Sequence, residues 1–466
     1  MTIGSSASHT RRLSSHVAEF PTADTPAAVI HAAKRSLLDG IGVSLAASSL
    51  ARQVEPFIGL AREGHTRGGT PVIGCGFDTA PTLAATVNGA LAHALDFEDT
   101  HDAAIVHPYA AAIPAALSAM NRIDKIAGRE LLASLAHGAN LVCRVSLGFT
   151  NNSETDGWFL HPILNSLAAA ATASRVYGAT SAQVEQALSF AFSQSTSSAA
   201  AKDQADSDYR TIREAFNAHA GVVGASLARD GLIGFSRVFD GPYGIYGLYG
   251  GGSVDAAALT GDLETRWENT AVSFKPWPSC RGTHAFVDCA LQIMQDPLFS
   301  ADEISDIEIR VSPFYQSLCE PTAEKSRPTT ASAAKFSIPF VLAATVRSGE
   351  LTLKQFDEWA LADEQTIRLA ERIRVGVDRS LDMRSAMNGG VKITLADGTV
   401  LRADVEEPRG GSTRPMDDAE LIAKFRACAE LALHPPRDIA AFVDLVMNFE
   451  QEPDAHSLLV ALRADS

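Results

Sequence analysis

Among its six cysteines the chain has no CxxC pair, and nowhere does it have an apolar run long enough to span a bilayer. It also lacks low-complexity tracts and carries too few basic residues to balance its acidic ones. Each shortage excludes something. Cys75, Cys143, Cys280, Cys289, Cys319 and Cys428 are scattered, which is the usage of reduced thiols rather than of a zinc site or a disulfide framework. A membrane-crossing helix needs about 18–20 consecutive apolar residues, and none is present. The opening stretch MTIGSSASHTRRLSSHVAEF has an Arg pair with no apolar segment behind it, so no signal peptide is expected. Lys and Arg number 39 against 55 Asp and Glu, a formal charge of −16. That balance argues against nucleic acid or an anionic membrane as partner. The expectation is a cytoplasmic globular protein in which any anion site is a local positive patch.

At 466 residues the chain is long enough for two domains with substantial cores. Up to about residue 265 it reads as a run of helices. Thr25-Pro26 is a start signal, and Val29, Ala33, Leu37, Ile41 and Leu45 then recur at helical spacing. Similar patterns cover roughly 81–97, 108–121, 128–148, 161–177, 182–194 and 211–230, many rich in alanine, as suits helices packed against helices. Near 270 the texture changes. Ile307, Ile309 and Val311 alternate, as do Ile373, Val375 and Val377, and Asp397-Gly398 is a hairpin turn between two strand-like stretches. Helical segments at about 282–295, 329–348 and 352–371 lie between these strands. The fold expected is therefore mainly α, a large all-helical domain with an inserted smaller α+β domain. The limits are 1–267 for the first helical part, 268–405 for the α+β part and 406–466 for C-terminal helices returning to the first. A cleft between the domains is the default site.

The chemistry is densest in AATVNGALAHALDFEDTHDAAIVHPYAAAIP. Helical spacing sets His93, Asp96 and Thr100 on one face, with Glu98, Asp99, His101, Asp102 and His107 crowding its end. Ionisable groups this close between alanine-rich stretches are costly unless solvated or used. A solvated helix end accounts for each residue alone; the cluster together favours a site. Asp96, Asp99 and Asp102 fall at three-residue spacing, but a hard cation wants mostly oxygen ligands and few histidines, so no metal is expected.

A second candidate is FKPWPSCRGTH at 274–284. Lys275, Arg281 and His284 place positive charge around two stiffening prolines, and Lys and His carry protons when their surroundings tune them. Cys280 has no readable nucleophile partner and is expected to line the substrate. His161-Pro162, at a helix start where free N–H groups favour anions, and Arg210 with Arg213 are weaker signals. The glycine-rich 241–252 stretch has no strand before it and reads as a loop, not a dinucleotide site.

These residues carry a resemblance to the MmgE/PrpD family, which includes 2-methylcitrate dehydratase, cis-aconitate decarboxylase and iminodisuccinate epimerase. It runs through AKRSLLDGIGVSLAAS, NGALAHALDFEDT, the His-Pro at 161–162, FKPWPSCRGTH, AAKFSIPFVLAATVRSGELTLKQF and RPMDDAELIAKF, nearly the whole chain. The resemblance implies a homodimer with an interdomain site that uses no metal or organic cofactor. It associates Asp96, Thr100, His107, His161 and Lys275 with that site.

Three departures bear on the reaction. Thr100 and His107 are one residue further apart than in the decarboxylase pattern. Arg213 and Phe216 stand where dehydratase and decarboxylase members have Lys and His, and Cys280 where the decarboxylase has His. Arg213 binds anions but does not carry protons. The pattern therefore resembles the epimerase members most, and implies inversion of a stereocentre beside a carboxylate of iminodisuccinate. The expected catalytic groups are His107 and Lys275, with Asp96 orienting one of them. Thr100, His161, Arg213, Arg281 and Cys280 are expected to bind the small polycarboxylate. The alternative is a lyase like 2-methylcitrate dehydratase acting on a tricarboxylate.

Overall fold

The computed structural model describes residues 8–151, 157–204, 207–381 and 385–463. The chain forms two compact units, one of residues 1–204, 209–272 and 417–466, the other of 205–208 and 273–416.

The first unit is helical. Its central helices are Ala27–Leu50, Pro81–His93, Ala112–Met120, Gly128–Leu147, Leu160–Val176, Ser181–Ser193 and Glu214–Arg229. Alanine makes the close packing possible. Ala168 to Ala171 are all fully buried, and a Cβ on Gly221 would come 2.3 Å from the Cβ of Ala169. The C-terminal helices Asp418–Ala429, Ile439–Met447 and His456–Leu462 belong to this unit. Two local expectations change. The helix after Thr25-Pro26 starts at Ala27 without a side-chain cap, and the Thr25 hydroxyl is buried with no hydrogen-bond partner. A short two-stranded sheet, His65–Pro71 with Asp78–Thr79, was not signalled by any alternation.

The second unit is α+β. Its four-stranded sheet runs in the order Ile373–Val377, Ile304–Val311, Gly389–Leu395, Val400–Val405, the first pair parallel and the others antiparallel. Ile307, Ile309 and Val311 point into the core with Phe286, Leu342 and Ile393, which is the period of two expressed as one buried face. Asp397-Gly398 closes the last hairpin, where Gly398 has φ +89 and the Leu395 N–H donates to the Thr399 carbonyl at 2.8 Å. The helices His284–Ile293 and Ile338–Ser348 cover the buried face. No helix among the described residues is long and apolar enough to cross a membrane.

Candidate active site

The NGALAH segment builds the site from its first residue. Asn88 is buried, accepting from the Ile73 N–H and donating to the Pro71 carbonyl, each at 2.9 Å. Any Cβ at Gly89 would lie 2.4 Å from the Glu214 carbonyl oxygen, so glycine lets the helix Pro81–His93 touch the start of the helix Glu214–Arg229. The first helix ends at His93. Asp96 adopts φ +49, a left-handed conformation incompatible with a continuing helix, and its N–H bonds back to the His93 carbonyl at 3.0 Å. The expected helical face through His93, Asp96 and Thr100 therefore does not exist; the chain turns, and residues 94–101 fold into the protein. All eight are buried, so this is no solvated helix end.

The loop that follows is held internally. The Thr100 hydroxyl donates to the Val106 carbonyl at 3.2 Å, and His101 bridges Val106 across a tight turn. Ile105 in that turn has φ +52, which for a β-branched residue stores roughly 1–3 kcal/mol of strain.

The turn brings His93, Glu98 and His107 together. Both imidazole Nδ1 atoms approach one oxygen of Glu98: His93 in a very short contact and His107 at 2.8 Å. The rings are 4.7 Å apart and edge-on. The His107 Nδ1 also lies 3.0 Å from the Asp99 carbonyl. A carbonyl only accepts, so Nδ1 carries the proton and Nε2 is the nitrogen without one. Glu98 and His93 are fully buried, whereas the His107 side chain keeps 14% of its surface. Burial foremost, then the Arg213 charge, lowers the pKa of His93, so His93 is a neutral donor to Glu98.

Beside this group stands a cationic wall. Phe159 has the Lys202 ammonium 4.5 Å and the Arg213 guanidinium 5.2 Å from its ring centre, with the His161 ring edge-on at 5.4 Å. His161 lies in the first turn of the helix Leu160–Val176. Burial above all, then Lys202, Arg213, His107 and Arg210, holds its pKa well below the ordinary histidine value. It is therefore a neutral donor among cations. Arg213 pairs with Glu214 at 3.2 Å, both buried, and Glu214 also accepts from Asn165 at 3.0 Å and Asn217 at 2.9 Å. Asn165 donates further to the His107 carbonyl at 3.3 Å.

In the second unit, Lys275 is fully buried and Cys280 is half-buried. Arg281 donates to the carbonyls of Arg409 at 2.7 Å and Pro408 at 3.1 Å. It also contacts the His284 Nδ1 at 3.2 Å, while the His284 Nε2 donates to the Ser279 carbonyl at 3.2 Å. These bonds tie the prolyl segment to residues 408–409 and fix the neutral tautomer of His284.

His93, Asp96, Glu98 and His107 each present a ligand-type atom, all within 4.8 Å of one another. Two nitrogens and two carboxylates suit a transition metal. Yet both Nδ1 atoms meet a single Glu98 oxygen at hydrogen-bond range, the geometry of protons donated to a carboxylate.

Of the residues expected from sequence, Asp96, Thr100, His107, His161 and Arg213 all lie in the first unit; Lys275, Cys280 and Arg281 lie together in the second. Glu98 is a carboxylate on His107 Nδ1, and Asp96, the residue expected to orient a catalytic group, belongs to the same cluster. Lys202 was missed because nothing local in AAAKDQ marks it, and Glu98 because three acids in DFEDT are equivalent until the turn at Asp96 is known.

The model of the MmgE/PrpD N-terminal domain matches residues 11–256, and that of the MmgE/PrpD C-terminal domain residues 277–446. The cis-aconitate decarboxylase-like protein oryM of Aspergillus oryzae is 27% identical over 98% of this chain and 97% of its own length. The cis-aconitate decarboxylase of Homo sapiens is 26% identical, over 83% of this chain and 80% of its own. That of Aspergillus terreus is 24% identical, over 95% and 93%. By the match of both domain models, this chain belongs to the MmgE/PrpD family of enzymes.

Proposed function

We propose that this protein moves a proton on the carbon beside a carboxylate of a small polycarboxylate, without metal or organic cofactor. Its reaction is that of a lyase on a tricarboxylate, the class named in its relatives' cis-aconitate decarboxylase activity and shared by 2-methylcitrate dehydration. The observation that carries this is His107, held with Nδ1 on Glu98 and the Asp99 carbonyl and close enough to the cationic wall for its charge to act on His161.

In this reading the His107 Nε2 exchanges the proton on carbon. Negative charge spreads onto the adjoining carboxylate, and Lys202 and Arg213 stabilise it with donors fixed beforehand, the arrangement that lowers such barriers most. Neutral His161 donates one N–H to a substrate carboxylate, and Thr100 is assigned to the site because the family resemblance implies it. The family resemblance associates Lys275 with the site, and its titratable ammonium suits an acid/base step; Arg281 and Cys280 are assigned substrate contacts from their place in the same prolyl segment. In dehydration the β-hydroxyl leaves with a proton as water; in decarboxylation carbon dioxide leaves and a proton is delivered to the electron pair left on the carbon skeleton.

One observation favours a second reading, epimerisation of iminodisuccinate. Arg213 is a buried, ion-paired cation and Phe216 is half exposed where dehydratase and decarboxylase members have Lys and His. With those proton carriers gone, one proton removed and returned is the simpler task. Incubation with cis-aconitate, 2-methylcitrate and iminodisuccinate discriminates: an alkene product or carbon dioxide supports the lyase, inversion without net loss supports the epimerase, and no turnover of any of the three contradicts both.

The homodimer implied by the resemblance belongs to the same proposal. Exposed Leu232, Ile233, Phe235 and Tyr243 supply apolar surface of the kind buried between proteins.

A further inference from the structure

We infer that Glu98 is a positioning residue for His107, and that His93 is the second imidazole of a His93–Glu98–His107 relay. The inference rests on the proposed proton-transfer role of His107, and applies equally to the lyase and the epimerase.

A buried carboxylate with nothing to receive from would take up a proton rather than stay charged. Glu98 has two donors on one oxygen, the Nδ1–H groups of His93 and His107. His93 is fully enclosed, so it does not reach a substrate, and among the described residues its Nε2 has no hydrogen-bond partner. Its remaining function is to donate to Glu98, which keeps Glu98 ionised and turned toward His107. His107 is the member of the trio with surface left open. When its Nε2 accepts a proton from carbon, the charge on the ring lies directly against the Glu98 carboxylate. The proton from carbon resides on Nε2 until it passes to a departing hydroxyl as water or goes back to carbon, and Nδ1–H stays bonded throughout. The Asp99 carbonyl fixes the same tautomer from a second direction.

Other charged groups also face His107. Asp96 shares its cluster on the same turn. His161 comes from the helix Leu160–Val176, and Arg213 and Glu214 adjoin Asn165, which holds the His107 carbonyl. Lys202 flanks His161. Of these, Glu98 is the acid in direct contact with His107 Nδ1.

The test uses the full-length protein and the polycarboxylate it turns over. Glu98→Gln keeps the shape and removes the charge. It should lower kcat about 100-fold or more, with KM within about threefold, because loss of the carboxylate frees the imidazole to take the wrong tautomer. Glu98→Asp, which keeps the charge, should recover at least tenfold of the lost kcat. His93→Asn, which retains a donor, should keep at least tenfold more activity than His93→Leu. A merely structural role for Glu98 would make Glu98→Gln and Glu98→Asp equally harmful, and that result overturns the inference. If Glu98→Gln does not fold, 15N NMR of histidine-labelled wild-type protein decides. Neutral His107 should show Nδ1 protonated and Nε2 bare; the opposite tautomer overturns the relay. The NMR measurement needs no turnover, so it separates failure of the relay from failure of the functional reading.

Discussion

Lys424 Nζ lies 2.7 Å from Asp39 Oδ1, joining the first long helix to the C-terminal helix Asp418–Ala429. Asp39 is fully buried and Lys424 nearly so. The same ammonium donates to the Phe97 carbonyl at 2.7 Å and stands 3.8 Å from the Phe97 ring centre. Two distant stretches, AKRSLLDG and DDAELIAKF, thus meet beneath the loop that carries Glu98.

Removing one partner of a buried ion pair leaves the other charge uncompensated, which costs about 3–5 kcal/mol. Lys424→Met should lower stability by that amount in denaturant unfolding and reduce activity through the unsupported Phe97 loop. A midpoint within experimental scatter of wild type would show that the pair is dispensable.

Much of the fold was legible because its cues are local. Period-two alternation marked Ile304–Val311, and Asp397-Gly398 marked its hairpin. What the sequence hid was the end of the helix at His93. The left-handed turn at Asp96 adjoins Phe97, whose carbonyl accepts from the distant Lys424, and that turn decides which acid meets His107. Lys202 was hidden for a related reason: its importance lies in Phe159 and His161, which reach it only through the fold.

A second stability prediction concerns the first helix. His16 packs its ring 4.8 Å from His137 and 5.3 Å from Trp267. Burial, then the charges of Arg144 and Arg175, lowers its pKa from 6.5 to about 4. The unfolded chain therefore binds a proton between these values that the folded chain refuses. Stability from this group is complete above pH 6.5 and falls as pH drops toward 4, by on the order of 2–3 kcal/mol. Urea midpoints between pH 7 and 4 should show this decline, and His16→Phe should flatten part of it. An unchanged slope in the variant would assign the decline to other groups.

Lys202 offers a cleaner probe of the cationic wall than Arg213, which also pairs with Glu214. A hydrogen bond to a charged group contributes about 1.5–3 kcal/mol. Lys202→Met should therefore raise KM for the polycarboxylate roughly 10- to 100-fold, with a smaller effect on kcat. Steady-state kinetics at constant ionic strength measures it; an unchanged KM would remove Lys202 from the binding surface.

Chelation tests the reading of the His93, Asp96, Glu98 and His107 cluster as a hydrogen-bonded group. Exhaustive dialysis against a chelator should leave turnover and thermal midpoint unchanged. Stoichiometric metal by elemental analysis, with activity lost on its removal and restored on its return, would make the cluster a metal centre instead.

The most direct test of the central claim is proton NMR in deuterium oxide with each of the three polycarboxylates. Proton transfer at the carbon beside a carboxylate predicts deuterium incorporation there in decarboxylation or epimerisation, and loss of the label from a substrate deuterated at that carbon in dehydration; His107→Gln abolishes each. Turnover with neither incorporation nor loss of label at that carbon, or either one surviving the loss of His107, would contradict the account.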